Sequence, residues 1–257
     1  MKEEIFLFFI GTAGSGKSTL TDNFKEWMEL KGLDAITINL DPGAENLPYN
    51  PDVDIRDWIS LKEIMETYKL GPNGAQIACA DMLALNLTDL QESIEKYKSD
   101  IILIDTPGQL ELFVFREAGK HIVDQLKPKK TMIAYLLDHN LAKSASGFTS
   151  QLLLSINTSF RLNQPQIHIL TKADMLTEEE IDKIKQWTKD NNTLYDDIMK
   201  EQPSIHREMN ENIIQLIQGF QYTTQLIPTS KIDFQGIEDI YTNIQLQFYG
   251  GEDILKD

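Results

Sequence analysis

The sequence predicts a doubly wound α/β fold built on a mostly parallel sheet, and three observations carry that expectation. Apolar runs of strand length recur at Ile5–Ile10, Ala35–Leu40, Ile101–Asp105, Thr131–Asp138, Gln166–Leu170 and Gln225–Pro228. Near-continuous apolar strands are what a sheet covered on both faces requires. Helical periodicity fills most of the intervals, in Ser18–Lys31, Leu61–Lys69, Asp81–Tyr97, Leu110–Leu126 and Ser150–Phe160. Such alternation marks parallel strands joined by crossover helices. Finally, the runs lead into glycine, carboxylate or hydroxyl residues at their carboxyl ends, where open α/β sheets hold their ligands.

The chain has 257 residues, enough for a substantial core, and reads as one domain over 1–257 with helical insertions at about 43–100 and 178–219. The second insertion far exceeds an ordinary connection between a helix and a strand. Asp190-Asn-Asn192 and Gln202-Pro-Ser204 punctuate it. No Gly/Ser linker or low-complexity tract sets it apart, so it is expected to pack on the core. Gly236–Phe248 reads as a last covering helix, and Gly250–Asp257 as a frayed acidic tail.

Lys+Arg 24 against Asp+Glu 40 gives a formal net charge of −16, which disfavours direct binding to nucleic acid or to an anionic membrane. The first apolar run is too short to span a bilayer and enters a glycine loop directly, so a cytoplasmic protein is expected. One cysteine, Cys79, excludes an internal disulfide and reads as a buried core residue. His121, His139, His168 and His206 do not fall at metal-ligand spacing.

The first strand leads into Gly11-Thr-Ala-Gly-Ser-Gly-Lys17-Ser18, which fits G-x-x-x-x-G-K-[ST] between a strand and an amphipathic helix. This is the phosphate cradle of a P-loop nucleotide-binding protein. Backbone N–H groups of Gly11, Ala13, Gly14, Ser15 and Gly16 can curl around phosphate oxygens, helped by the helix N-terminus. Lys17 is expected on the β- and γ-phosphates, Ser18 on Mg²⁺ and Thr19 on the α-phosphate.

The second strand delivers Asp41, a carboxylate for the metal shell and the attacking water. The third ends in Asp105-Thr-Pro-Gly108-Gln109, where Asp105 can reach the Mg²⁺ shell and the backbone N–H of Gly108 can meet the γ-phosphate. Gln109 stands where a carboxamide can orient water, and Glu111 is near enough in sequence to assist.

The fifth run leads into Thr171-Lys172-Ala-Asp174, which resembles the N/T-K-x-D guanine motif of GTPases. The Asp174 carboxylate can accept both N1–H and N2–H₂ of guanine, whereas adenine presents a lone pair there. The stem of Lys172 can lie against the purine, and Thr171 takes the place of the commoner Asn. Pro228-Thr-Ser230-Lys231 resembles the second base loop, with a backbone N–H for guanine O6. GTP and GDP with Mg²⁺ are therefore the expected ligands.

Gly71-Pro72-Asn73, set between the cradle and Asp105, is the tripeptide that names the GPN-loop GTPases. Asn39-Leu-Asp41-Pro42, Tyr49-Asn-Pro51, Asp54-Ile-Arg-Asp57 and Gln109-Leu-Glu111 resemble that family's pattern in the same order, and the likeness runs from about Ile5 to Ile244. The resemblance implies a homodimer, as in archaeal members, with the GPN loop reaching toward the partner's nucleotide. It also implies a client protein, since eukaryotic members are implicated in RNA polymerase assembly.

The residues give the trans arrangement a reason. Thr12 stands where dimerising ATPases with deviant loops carry a lysine, and Arg56, Arg116, Arg161 and Arg207 are the only arginines. With no evident charge stabiliser in cis, Asn73 is a candidate catalytic donor in trans. Arg56 reads as a partner for neighbouring carboxylates, and Leu152-Leu-Leu154 as core rather than client surface. Three other classes share the cradle. A P-loop kinase would want an arginine-bearing lid, a metal-insertion GTPase would want Cys and His ligands, and a GTP-bound scaffold would bind without significant turnover.

Overall fold

A computed structural model describes residues 4–126, 130–201, 207–219 and 225–250. Its first half runs β1 (Ile5–Gly11), α1 (Lys17–Leu30), β2 (Ala35–Asn39), β3 (Val53–Asp54), α2 (Leu61–Tyr68), α3 (Pro72–Leu85), α4 (Leu87–Ile94) and β4 (Ile101–Asp105). There follow α5 (Leu110–Phe113), α6 (Glu117–Gln125), β5 (Lys130–Leu137), α7 (His139–Ala142), α8 (Ala145–Leu162) and β6 (Gln166–Leu170). The chain closes with α9 (Glu178–Lys189), α10 (Asn191–Glu201), α11 (Arg207–Gly219), β7 (Leu226–Pro228) and α12 (Ile237–Tyr249).

The strands form one sheet in the order β3-β2-β4-β1-β5-β6-β7, and every pairing is parallel. Alternation along β1 divides the core. Ile5, Leu7 and Phe9 face Leu20, Phe24 and Trp27 of α1 and Ile237 and Ile240 of α12, while Phe6, Phe8 and Ile10 face the opposite layer. That layer holds Ala75 and Cys79 of α3, Leu90 of α4, Ile122 of α6 and Phe148 of α8. Both layers are apolar and buried, and each fully buried side chain of this size stabilises by about 1.5–3 kcal/mol.

The register brings the predicted motifs to one edge. Phe9, which precedes the cradle by two residues, pairs with Asp105, and Asn39, two residues before Asp41, also pairs with Asp105. On the other side Leu137 pairs with Leu170, and Leu170 with Pro228.

Several sequence-based element boundaries differ from the structure. β3 has two residues, too few to show a pattern. The helix expected over Asp81–Tyr97 is instead α3, which starts at Pro72 of the Gly-Pro-Asn tripeptide, and α4, with Asn86 between them. The Asn86 Nδ2 donates to the Met82 carbonyl at 2.8 Å, a local bond that competes with helix continuation. The pattern over Leu110–Leu126 divides into α5 and α6. They meet at Gly119, where a Cβ would lie 1.8 Å from the Phe113 carbonyl oxygen. α8 starts earlier than its periodicity, at Ala145, because the Ser144 hydroxyl accepts from the Gly147 amide.

The second insertion is helical and packs on the core through Ile184, Trp187, Leu194 and Ile198. Asp190 interrupts it as expected, its Oδ1 accepting from the Asn192 amide and its Oδ2 from the Thr193 hydroxyl. Glu201 at the end of α10 accepts from the Ala145 and Ser146 amides at 2.7 and 3.0 Å, tying the insertion to the first turn of α8. Leu152 is buried in the core, and Leu154 packs against it half-buried. Gln202-Pro-Ser204, His206 and 251–257 of the acidic tail lie outside the described residues.

Candidate nucleotide site

The cradle is a tight turn between β1 and α1. Gly14 and Gly16 adopt φ of 76° and 95°, left-handed values at which a side chain is strained. The Ser15 amide donates to the Thr12 carbonyl at 3.1 Å, and the Ser15 Oγ is buried with no hydrogen-bond partner. Lys17 is buried, and its Nζ donates to the carbonyls of Gly11 at 2.9 Å, Thr12 at 3.0 Å and Gly108 at 3.3 Å. Burial pulls its pKa down, opposed by the charges of Asp105 and Asp41.

Asp105 is 1% exposed at the end of β4. Its Oδ2 accepts from the Tyr49 hydroxyl at 3.0 Å, and its Oδ1 is buried without a partner. Burial raises its pKa to about 6; the Ser18 and Tyr49 hydroxyls and Lys17 oppose the rise, and Asp41 adds to it. Burial and the same carboxylate push the Tyr49 phenol upward, so it remains a donor.

Asp41 spans two loops. Its Oδ1 accepts from the Gly43 amide at 2.9 Å and its Oδ2 from the Gly108 amide at 3.2 Å. An orphan carboxylate oxygen on Asp105 near the Ser18 hydroxyl, with Asp41 close by, is an all-oxygen donor set suited to a hard cation such as Mg²⁺. Among the described residues, no group of three or more His, Cys, Asp or Glu is placed to hold a metal ion. Mg²⁺ needs none, since it commonly uses one or two protein ligands together with phosphate and water.

Gln109 is exposed, and its Nε2 donates to Gln76 Oε1 of α3 at 3.2 Å. Glu111 and Asn73 are exposed as well, Asn73 in the first turn of α3. The cradle, Asp41, Asp105 and Gly108 are thus brought together, Gln109 touches the helix that begins within the Gly-Pro-Asn tripeptide, and Asn73 makes no hydrogen bond to the cradle. Arg56, Arg116 and Arg161 are each engaged with carboxylates rather than with the cradle. Arg56 forks onto Asp54, with Nη2 to Oδ2 at 2.5 Å and Nη1 to the Ala44 carbonyl at 2.8 Å. Arg116 pairs with Asp81, and Arg161 with Glu117.

The base side is a cavity of about 450 Å³ lined in part by Thr19, His139, Thr171, Lys172, Asp174 and Ser230. Lys172 has φ 54°, and its Nζ donates to the Gly14 carbonyl at 2.8 Å, laying its stem between base loop and cradle. The Thr171 hydroxyl donates to the Leu137 carbonyl at 3.1 Å, which anchors the loop. The Ala173 amide donates to the Thr229 carbonyl at 2.9 Å, joining the two base loops, and the Ser230 hydroxyl accepts from the Ile232 amide. A larger hollow of about 590 Å³ beside Lys185, Ile227 and Asp239 meets the motifs at Pro228 and at none of the residues expected to contact nucleotide.

The sequence reading missed some of this. Tyr49 was part of a motif with no role attached, and Gln76, His139 and Asn140 carried no signal. His139 and Asn140 follow β5 after the single residue Asp138, and the strand-end rule that points to Asp41 and Asp105 applies equally to them.

A protein-family model described as "conserved hypothetical ATP binding protein" matches residues 9–250. The GPN-loop GTPase of Pyrococcus abyssi is 34% identical over 189 residues, covering 72% of this chain and 74% of that protein. GPN-loop GTPase 3 of Kluyveromyces lactis is 33% identical over 91% of this chain and 88% of its own length. GPN-loop GTPase 1 of Dictyostelium discoideum is 27% identical over 95% of this chain, which spans 62% of that longer relative. The crystal structure of the Pyrococcus abyssi GTPase in apo form superposes with a TM-score of 0.85 at 29% identity, covering 95% of this chain and 98% of that one. The family model is described for ATP and the relatives are named for GTP; Asp174 lines the cavity on the base side. On these matches the chain belongs to the GPN-loop GTPases, a family of GTP-hydrolysing enzymes.

Proposed function

We propose that this chain is a Mg²⁺-dependent GTP switch whose site is completed by a second copy. The observation that carries the guanine reading is the joined pair of base loops, with Lys172 bridging to Gly14 and Asp174 lining the cavity beside them. Ser18 and Asp105, with Asp41 nearby, would hold Mg²⁺, which when bound neutralises charge on the β- and γ-phosphates. Lys17 would exchange its carbonyl partners for phosphate oxygens. The Gly108 amide serves the Asp41 carboxylate, so a γ-phosphate that takes this donor displaces Asp41 and loosens the loop behind it. Gln109 would place the water, with Glu111 assisting. The water oxygen attacks the γ-phosphorus, the bond to the β,γ-bridging oxygen breaks, and GDP and phosphate leave.

Arg56, Arg116 and Arg161 are paired with carboxylates, so none of these three offers a cis guanidinium to the γ-phosphate. That supports Asn73, exposed in the first turn of α3, as a donor to the partner's nucleotide in a homodimer. Such a device suits a timer for assembly of a client complex.

Phosphate release from GTP and from ATP, measured with Mg²⁺ over a wide range of protein concentration, tests the reading. Turnover of GTP alone, rising per chain with concentration, is expected. Equal use of ATP would remove the role of Asp174. An Asn73→Ala protein that stays dimeric and hydrolyses GTP at the unaltered rate would remove the trans donor. No turnover of GTP would leave a scaffold, and transfer to an added acceptor would indicate a kinase.

A further inference from the structure

We propose that Tyr49 is a positioning residue for the Asp105 carboxylate: its hydroxyl holds Oδ2 and thereby fixes Oδ1 as the oxygen offered to the metal. The contact to Oδ2 is buried and 3.0 Å long, and Oδ1, on a carboxylate beside the Ser18 hydroxyl, is left without a hydrogen-bond partner. A carboxylate turns about its last torsion with broad, roughly two-fold freedom. One hydrogen bond to a fixed donor removes that freedom.

The donor is fixed because the loop carrying it is tied at both ends. The Leu40 amide donates to the Asp105 carbonyl at 2.9 Å, and the Asp52 amide to the Thr37 carbonyl at 2.9 Å. Asp52 Oδ2 accepts from the Thr37 amide at 2.8 Å, the Thr37 hydroxyl at 3.1 Å and Lys25 Nζ at 2.7 Å. Arg56 bridges Asp54 to the Ala44 carbonyl within the same loop. Since Lys25 sits on α1, which begins at the cradle, phosphate cradle and carboxylate share one frame. Removing an outer partner of a metal ligand typically lowers metal affinity about 10–100-fold.

The inference rests on the reading of Asp105 as a metal ligand, so the test keeps the two apart. Tyr49→Phe retains the ring that fills the core and deletes only the hydroxyl. The probe is Mn²⁺, titrated by electron paramagnetic resonance into the GDP complex, alongside GDP affinity measured in chelator. For Tyr49→Phe, Mn²⁺ affinity is expected to fall about tenfold. Metal-free GDP affinity should stay within twofold, and during turnover the Mg²⁺ concentration for half-maximal rate should rise while kcat at saturation is largely kept. Mn²⁺ affinity within twofold of the parent, or a parallel loss of metal-free GDP binding, overturns the proposal. Asp105→Asn separates the layers: if it leaves Mn²⁺ affinity unchanged, the metal reading itself fails. If it weakens Mn²⁺ binding and Tyr49→Phe does not, only the role of Tyr49 fails.

Discussion

Replacing Asp105 by Asn is expected to make the chain more stable at neutral pH while abolishing its use as a metal site. Burial moves the carboxyl from its ordinary 3.8 to about 6. At about 1.36 kcal/mol per tenfold change in proton affinity, that displacement amounts to ~3 kcal/mol. Below 3.8 folded and unfolded chains are both protonated and no penalty exists. From 3.8 to about 6 the folded state holds the extra proton, so stability falls as pH rises, and above 6 the full penalty remains. Asn removes the charge but brings amide hydrogens to the place of the unpartnered Oδ1, which costs back ~1 kcal/mol. The net expectation is a gain of about 2 kcal/mol at pH 7.5 that shrinks toward pH 4. Urea unfolding in chelator, repeated at half-unit steps of pH, reads it directly. An Asn variant less stable than the parent at pH 7.5, or a difference independent of pH, would refute the reasoning. In the parent, Mg²⁺ with GDP should recover the same stability, and in the variant it should recover little.

Three further outcomes are expected. Burial lowers His168 from 6.5 to about 4, so the unfolded chain takes up its proton first and stability falls as pH drops through that window, by ~3 kcal/mol in all. Because Asp105 gives the opposite slope there, unfolding is best followed in the Asp105→Asn background, where adding His168→Gln should flatten the acid limb. Asp174→Asn should weaken GTP binding about 100-fold or more and raise affinity for xanthosine triphosphate, whose 2-carbonyl suits an amide donor; an unchanged preference in competition binding counts against the base reading. Gly119→Ala forces the junction of α5 and α6 apart, since its Cβ would meet the Phe113 carbonyl at 1.8 Å. A loss on the order of 3 kcal/mol in urea is expected, and a midpoint equal to the parent's would show that the junction yields.

The parts of the site legible in the sequence are those whose meaning is local. Gly11–Ser18 reads as a cradle because strand, glycines, lysine and helix are contiguous, Asp105 reads as a ligand because it ends a buried strand, and Asp174 because it closes a four-residue motif that leaves one. Alternation cannot reveal a strand of two residues, which is why β3 was missed. Periodicity also joined α5 to α6, because the phase of the apolar stripe survives a break that only the close approach at Gly119 enforces. Tyr49 is the clearest case of the limit. Its phenol meets a carboxylate 56 positions away, and nothing in Tyr49-Asn-Pro51 states that distance. The contact of Gln109 with Gln76, 33 positions apart, is hidden for the same reason.

The polar groups at this edge of the sheet run against the burial rule that shapes the remainder. Lys17 and Asp105 are both nearly buried, yet neither is satisfied as a structural ion pair would be, for Lys17 spends its hydrogen bonds on three carbonyls and Asp105 keeps one oxygen unpartnered. A chain selected for stability alone would neutralise or pair them, because an unpaired buried charge costs several kcal/mol. The sheet tolerates the cost because its two faces are closed by apolar layers drawn from all seven strands or their covering helices. A buried cation held only by carbonyls and a carboxylate with one orphan oxygen, kept in register by β1 and β4 beside one cradle, suit a ligand that is anionic toward Lys17 and cationic toward Asp105. A phosphate chain carrying a divalent metal would meet both demands at once, and its binding would offset the desolvation cost of the two buried charges.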